Sequence, residues 1–114
     1  MSVAITCHNT AFGTAGQIEP AQLVEIAAQG YKSVINNRPD GEAGPSQPKN
    51  ADIAAKAESL GLHYAFLPVA PGSMTPAEVQ EMNRLLKTMP GPILAFCRSG
   101  ARSTNLYHLA LQLG

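Results

Sequence analysis

A domain of alternating strands and helices, with a mainly parallel sheet flanked by helices, is the fold class this sequence predicts. Three observations carry it: short apolar runs recur between helix-patterned stretches, glycine or proline punctuates nearly every junction, and the long loops follow strands. At 114 residues the chain is read as one domain over residues 1–114, large enough to bury a core without disulfide, metal or cofactor. Hydrophobic residues make up 45% and charged residues 14%, and eight basic side chains balance eight acidic ones. A formal net charge of zero offers no global field for nucleic acid or an anionic membrane, so any preference for anions must be local. No apolar run approaches the ~18 residues of a membrane span, and no leader pattern opens the chain. Cys7 and Cys97 lie far apart in unlike contexts, which points away from a secreted disulfide scaffold and towards a reducing, cytoplasmic setting.

The elements follow in order. A strand is expected around Ala11 to Ala15. Glu19–Gly30 has an early proline, apolar Leu23, Ile26 and Ala27, and a glycine stop, the marks of a helix. Tyr31–Asn36 reads as a strand, and Asn37–Pro48 is dense in turn formers and reads as a loop. Asn50 or Asp52 is expected to cap an alanine-rich helix that runs to Leu60, after which Leu62–Val69 forms the next strand and Ala70–Met74 a second loop. Thr75-Pro76-Ala77-Glu78 matches a capping box with proline at the first helical position, and the helix runs towards Lys87 before Pro90-Gly91-Pro92. Ile93–Phe96 is a buried strand, and a final helix places Leu106, Leu109, Ala110 and Leu113 on one face. In open α/β sheets ligands bind beyond the carboxyl ends of the strands, so the two loops and the turn after Phe96 should rim one crevice.

That last turn carries the chemistry. Cys97 falls at a strand end, and Arg98-Ser99-Gly100-Ala101-Arg102-Ser103 leads directly into a helix. Turn amides, the positive end of the helix and two guanidinium groups are expected to point at one sulfur and to stabilise its thiolate, and the same cradle binds an anion. Arg102 at a helix start opposes the dipole and requires an anionic partner. Gly100 is expected to take positive φ or to let amides approach a ligand, while Ser99 and Ser103 either donate to the thiolate or cap the helix.

The turn resembles the active-site loops of two cysteine enzyme groups, the tyrosine and dual-specificity phosphatases and the rhodaneses. The phosphatase pattern has five residues between cysteine and arginine; here Arg98, Ser99, Gly100 and Ala101 make four, the rhodanese count. A shorter loop makes a smaller bowl, suited to a sulfur on Cys97. Ser33–Glu42, Phe66–Val69 and Phe96–Ser103 together resemble the phosphatase-like domain of the beta-lactamase-hydrolase-like family over most of residues 12–112. The resemblance implies a dual-specificity-phosphatase fold in a bacterial protein linked to sulfide detoxification, found alone or fused to a persulfide dioxygenase.

On this reading Cys97 and Arg102 are catalytic, and Arg98, Ser99, Gly100, Ala101 and Ser103 bind a small anionic substrate. The expected reaction is sulfur transfer from thiosulfate or a persulfide through a Cys97 persulfide to an acceptor thiol. Hydrolysis of phosphate monoesters through a Cys97 phosphoenzyme is the alternative. A second alternative is a non-catalytic sulfur carrier or sensor for a persulfide dioxygenase. Dual-specificity phosphatases usually place an acidic residue in the loop that is here Val69–Met74, which has no carboxylate, so a phosphatase would recruit Asp40 or Glu42. Arg38 and Asp40 are possible contributors from the Asn37–Pro48 loop, although Arg-Pro-Asp-Gly is also a good turn. His63 reads as a sheet residue, His108 as surface or packing, and Met74, Met82 and Met89 as packing. Cys7 and His8 lack further ligands at metal-binding spacing.

Overall fold

The computed structural model describes residues 3–114. A mixed five-stranded sheet is built from β1 (Ile5–Asn9), β2 (Phe12–Ala15), β3 (Ser33–Asn36), β4 (His63–Phe66) and β5 (Ile93–Phe96) in the order β1-β2-β5-β3-β4. Only β1 runs antiparallel to its neighbour; the β2·β5, β3·β5 and β3·β4 pairings are parallel. The sequence predicts the second arm of the N-terminal hairpin but not β1. The reason lies in its exposure: Thr6, Cys7 and Asn9 face solvent on an edge strand, which lacks the apolar run of a buried one.

Central β5 is buried at every residue, and its alternating side chains feed two cores. Ile93 and Ala95 join Ile35, Met82, Leu85, Leu106 and Ala110 beneath α3 (Pro76–Thr88) and α4 (Ala101–Leu111). Leu94 and Phe96 join Val34, Leu23, Ile26, Ile53 and Ala57 beneath α1 (Leu23–Ala28) and α2 (Asn50–Ser59). Two-sided burial explains the unbroken Ile-Leu-Ala-Phe run, since polar residues on either face would sit inside a core. Met82 is fully buried, and Met74 and Met89 pack against the same core.

Helix starts follow the local chemistry. Before α1, Pro20–Gln22 forms a 3₁₀ turn whose Gln22 side chain accepts from the Glu19 amide at 2.7 Å. Thr75 caps α3: the Glu78 amide donates to its hydroxyl at 3.2 Å, and its own amide donates to the Glu78 carboxylate at 2.8 Å. The expected cap of α2 is corrected. Lys49 occupies the cap position, and the Asn50 amide donates to the Asp40 carboxylate, ten residues upstream, at 2.7 Å. Asn50 instead accepts from the Tyr64 hydroxyl at 2.6 Å. No helix among the described residues is long and apolar enough to cross a membrane.

Because β5 lies between β2 and β3, the chain passes over it from β2 to β3 and returns to it after β4. The carboxyl end of β5 is therefore the switch point of the sheet, where an open α/β fold leaves a crevice. Cys97 is the next residue.

Candidate active site

Cys97 leaves β5 with its amide bonded to the Ala15 carbonyl at 3.3 Å, so the strand ladder fixes where the sulfur emerges. The turn that follows bends at Gly100, whose φ of 93° belongs to the left-handed region. A Cβ there would also come within 3.3 Å of the Ala15 carbonyl oxygen. Both constraints require glycine, and they let the Gly100 amide donate to the Cys97 sulfur at 3.1 Å.

Cys97 is 1% exposed. Burial pushes its thiol up, but hydrogen bonds from the Ser103, Ser99 and Gly100 amides and the Ser103 hydroxyl outweigh it and leave the thiol below its ordinary value. Of the groups expected to point at the sulfur, the turn amides do so, and the two guanidinium groups are corrected: neither donates to it. Ser103 is wholly buried behind the sulfur rather than in the cleft, and its hydroxyl also donates to the Asn37 side-chain oxygen at 2.8 Å. Its single proton serves one acceptor at a time. Asn37, fully buried, is held by its own donation to the Leu67 carbonyl at 3.0 Å.

Arg102 finds its anion within the protein. Its Nη1 donates to Glu42 Oε2 at 3.0 Å and to the Val69 carbonyl at 2.9 Å, while Nη2 donates to Glu42 Oε1 at 3.1 Å. Arg38 grips the same carboxylate, Nε to Oε1 at 2.9 Å, and its Nη1 reaches the Gln17 side chain at 3.1 Å. The Arg102 guanidinium beside Glu42 holds that carboxyl below its usual range, against the opposing effect of burial and with help from Arg38. Among the described residues nothing accepts from the Arg102 Nε–H or from the second Nη2 proton. Those two donors form the side-on fork of the guanidinium, the edge suited to a bidentate oxyanion.

A cleft of about 720 Å³ opens over the turn. Cys97, Arg98, Ser99, Ala101 and Arg102 line one side, the Ala70–Met74 loop faces them, and Asn105, His108 and Leu109 of α4 continue the wall. The structure thus brings together most of the residues singled out in the turn, with Gly100 and Ser103 beneath it. The crevice is not rimmed by both loops as expected. Asp40 caps α2 and borders a separate hollow with Gly44 and Lys49, and Arg38 is a buried ion-pair partner. Glu42, considered in the sequence only as a proton donor, is the residue whose structural part was missed, and Arg102 at a helix start was the signal for it. His63 is exposed on edge strand β4, and His8 is engaged with Thr14 at 2.9 Å. Among the described residues no three His, Cys, Asp or Glu side chains gather as a metal site would require.

The chain is similar to several known proteins. The model of a family described as the phosphatase-like domain of beta-lactamase hydrolase-like protein matches residues 5–113. A beta-lactamase hydrolase-like protein of Xylella fastidiosa is 40% identical over 102 residues, which cover 90% of this chain and 23% of that protein. The chain therefore spans about a quarter of that relative's length. In structure it is similar to a Neisseria meningitidis protein described provisionally as a phosphatase, with a TM-score of 0.79, 31% identity, and coverage of 87% of this chain and 70% of that one. The fold alone is shared with Pseudomonas aeruginosa TpbA, solved in complex with phosphotyrosine, at a TM-score of 0.67 and 16% identity over 96% of this chain and 65% of that one.

Proposed function

Because the chain belongs to the family of the phosphatase-like domain of beta-lactamase hydrolase-like proteins, we propose that it is a cysteine-based phosphatase acting on a small anionic phosphate monoester. The observation that carries this reading is the pairing of an amide-cradled Cys97 sulfur with an Arg102 guanidinium whose side-on fork is left unengaged. A dianionic phosphoryl group seated in the turn meets the Arg102 fork and the turn amides, and Arg98 at the rim adds a second positive charge. Cys97 attacks phosphorus, the ester oxygen leaves, and water then cleaves the thiophosphate. Amides and fork stand in place before the reaction, so the charge that develops on the equatorial oxygens is met without rearrangement. Phosphatase assignment of the Neisseria relative and the phosphotyrosine bound by TpbA support the same reading.

Sulfur transfer is the second reading, and a specific observation favours it. Only four residues separate Cys97 from Arg102, and none of the cleft-lining side chains is a carboxylate. Attack of Cys97 on the outer sulfur of thiosulfate expels sulfite, which needs no proton, and the resulting persulfide passes to an acceptor thiol. A carrier serving a persulfide dioxygenase would stop at the persulfide. Each of these readings suits a reducing compartment such as the bacterial cytoplasm, where Cys97 stays a thiol.

Parallel assays with an aryl phosphate and with thiosulfate plus glutathione test the choice. Phosphate release that disappears in Cys97→Ser is the expected result; turnover of thiosulfate alone, with one sulfur added to Cys97 by mass, overturns it in favour of sulfur transfer.

A further inference from the structure

A phosphatase normally protonates the oxygen that departs, and no carboxylate here is placed to do so. Among the described residues no aspartate or glutamate lines the cleft, and the loop facing Cys97 offers only Ala70, Pro71, Gly72, Ser73 and Met74. Glu42 is the nearest carboxylate in the network, but both its oxygens accept from Arg102 and one also from Arg38. A carboxylate between two guanidinium groups stays ionised and has no proton to give. Asp40 is spent on the first amide of α2, and Glu78 on the capping box of α3. His108 lies on the cleft wall, seven residues into α4 from Ala101, so the helix rise carries it roughly 10 Å from the turn along the axis.

From this arrangement we propose that the site is specific for phosphoryl donors whose leaving group departs as an unprotonated anion. The class comprises phosphoric anhydrides, acyl phosphates and electron-poor aryl phosphates, and excludes esters of ordinary alcohols. The inference rests on the phosphatase reading of the same site. In the first step the Cys97 thiolate forms an S–P bond as the P–O bond breaks, and the bonding pair leaves on the oxygen. In the second, a water oxygen attacks phosphorus, the S–P pair returns to sulfur, and the water proton passes to solvent. The net change is hydrolysis, with no oxidant, reductant or co-reactant. The bare wall of residues 70–74 serves this chemistry by admitting the leaving group without having to orient an acid against it.

The test is a series of aryl phosphates from dinitrophenyl to unsubstituted phenyl, assayed for kcat/KM with the full chain. A missing general acid forfeits ~10²–10⁴-fold, and the loss falls on poor leaving groups. A fall of at least ~10²-fold across the series is therefore expected. The slope should persist in Glu42→Gln, which lowers every member by a common factor through Arg102, and in the exposed variant His108→Ala. A series that stays level within a few-fold overturns the inference and leaves the phosphatase reading standing. A variant whose loss is confined to the phenyl end also overturns it, by identifying the acid. No hydrolysis even of the dinitrophenyl ester, while iodoacetate still alkylates Cys97, overturns the phosphatase reading and the inference together.

Discussion

Two loops leave neighbouring parallel strands at the same end of the sheet, and they have opposite characters. The one after β3 is stapled throughout. Arg38 and Glu42 pair within it, the Ala43 amide donates to Gln47 at 2.9 Å, Gln47 donates to the Pro39 carbonyl at 2.8 Å, and Asp40 caps α2. The one after β4 exposes Ala70, Pro71, Gly72 and Ser73 and holds itself by a turn bond from the Ser73 amide to the Ala70 carbonyl at 3.1 Å. Arg102 touches both, taking Glu42 from the first and the Val69 carbonyl at the base of the second. The difference separates two tasks: the first loop fixes a charge in place, and the second leaves the mouth of the cleft open, as the proposed phosphatase reading requires.

The largest effect should come from Arg102, where the loops meet. Arg102→Lys keeps the charge but cannot span Glu42, Val69 and an oxyanion at once, so kcat/KM should fall by ~10²–10³-fold, the usual cost of removing a preorganised donor from a developing oxyanion. Steady-state kinetics with an activated aryl phosphate reads it; a loss of less than tenfold would mean that the fork is not the oxyanion contact.

Next comes the stapled loop. Glu42→Ala leaves two mostly buried guanidinium groups without their acceptor and should cost about 1–3 kcal/mol in urea unfolding, with a drop in activity as Arg102 loses its orientation. The same pair predicts a pH dependence. Glu42 titrates lower in the folded protein than its ordinary value of 4.5, so its contribution to stability is present above that pH and is lost as pH falls through the depressed folded value. The acid limb of the stability curve should therefore flatten in Glu42→Gln. An unchanged limb would show that the bridge contributes nothing.

The thiol offers a smaller, sharper test. Since amide donation holds Cys97 below the ordinary thiol value, its alkylation by iodoacetamide should reach half its maximal rate at a lower pH than that of a free cysteine peptide. Equal midpoints would mean that the amides do not favour the thiolate. Smallest of all, Ser73→Ala in the exposed loop should change stability by no more than ~0.5 kcal/mol. A loss comparable to that of Glu42→Ala would erase the contrast between the loops.

Much of this was legible in the sequence for reasons that can be named. Buried strands with two covered faces are written as unbroken apolar runs, so β5 was visible, and the Thr75-Pro76-Ala77-Glu78 box announced α3 by its own hydrogen bonds. Edge strand β1 was not, because an exposed strand has no apolar signature. Cys97 at a strand end was legible, and so was the need of Arg102 for an anion. That the anion is Glu42, sixty residues upstream, was not, because ion pairing across loops depends on strand order, and strand order is not periodic in sequence. The turn's short spacing and the absence of a carboxylate from Val69–Met74 pointed to sulfur transfer. Family membership and the similar structures support the phosphatase alternative better, because they compare the whole sheet rather than one spacing.

The clasp between Ala15 and the cysteine turn has a consequence for biosynthesis. Ala15 accepts the Cys97 amide, crowds Gly100, and lies two residues before Gln17, whose amide donates to the Arg98 carbonyl at 3.1 Å. The amides that favour the thiolate come from Ser99, Gly100 and Ser103, the last of them in the first turn of α4. A ribosome releases Cys97 before any of these groups, and β2 waits for β5 to arrive from some eighty residues later. Until those donors are in place, the sulfur lacks the hydrogen bonds that lower its thiol. The lowering of the thiol therefore depends on the docking of α4, so an incompletely folded chain carries no armed nucleophile.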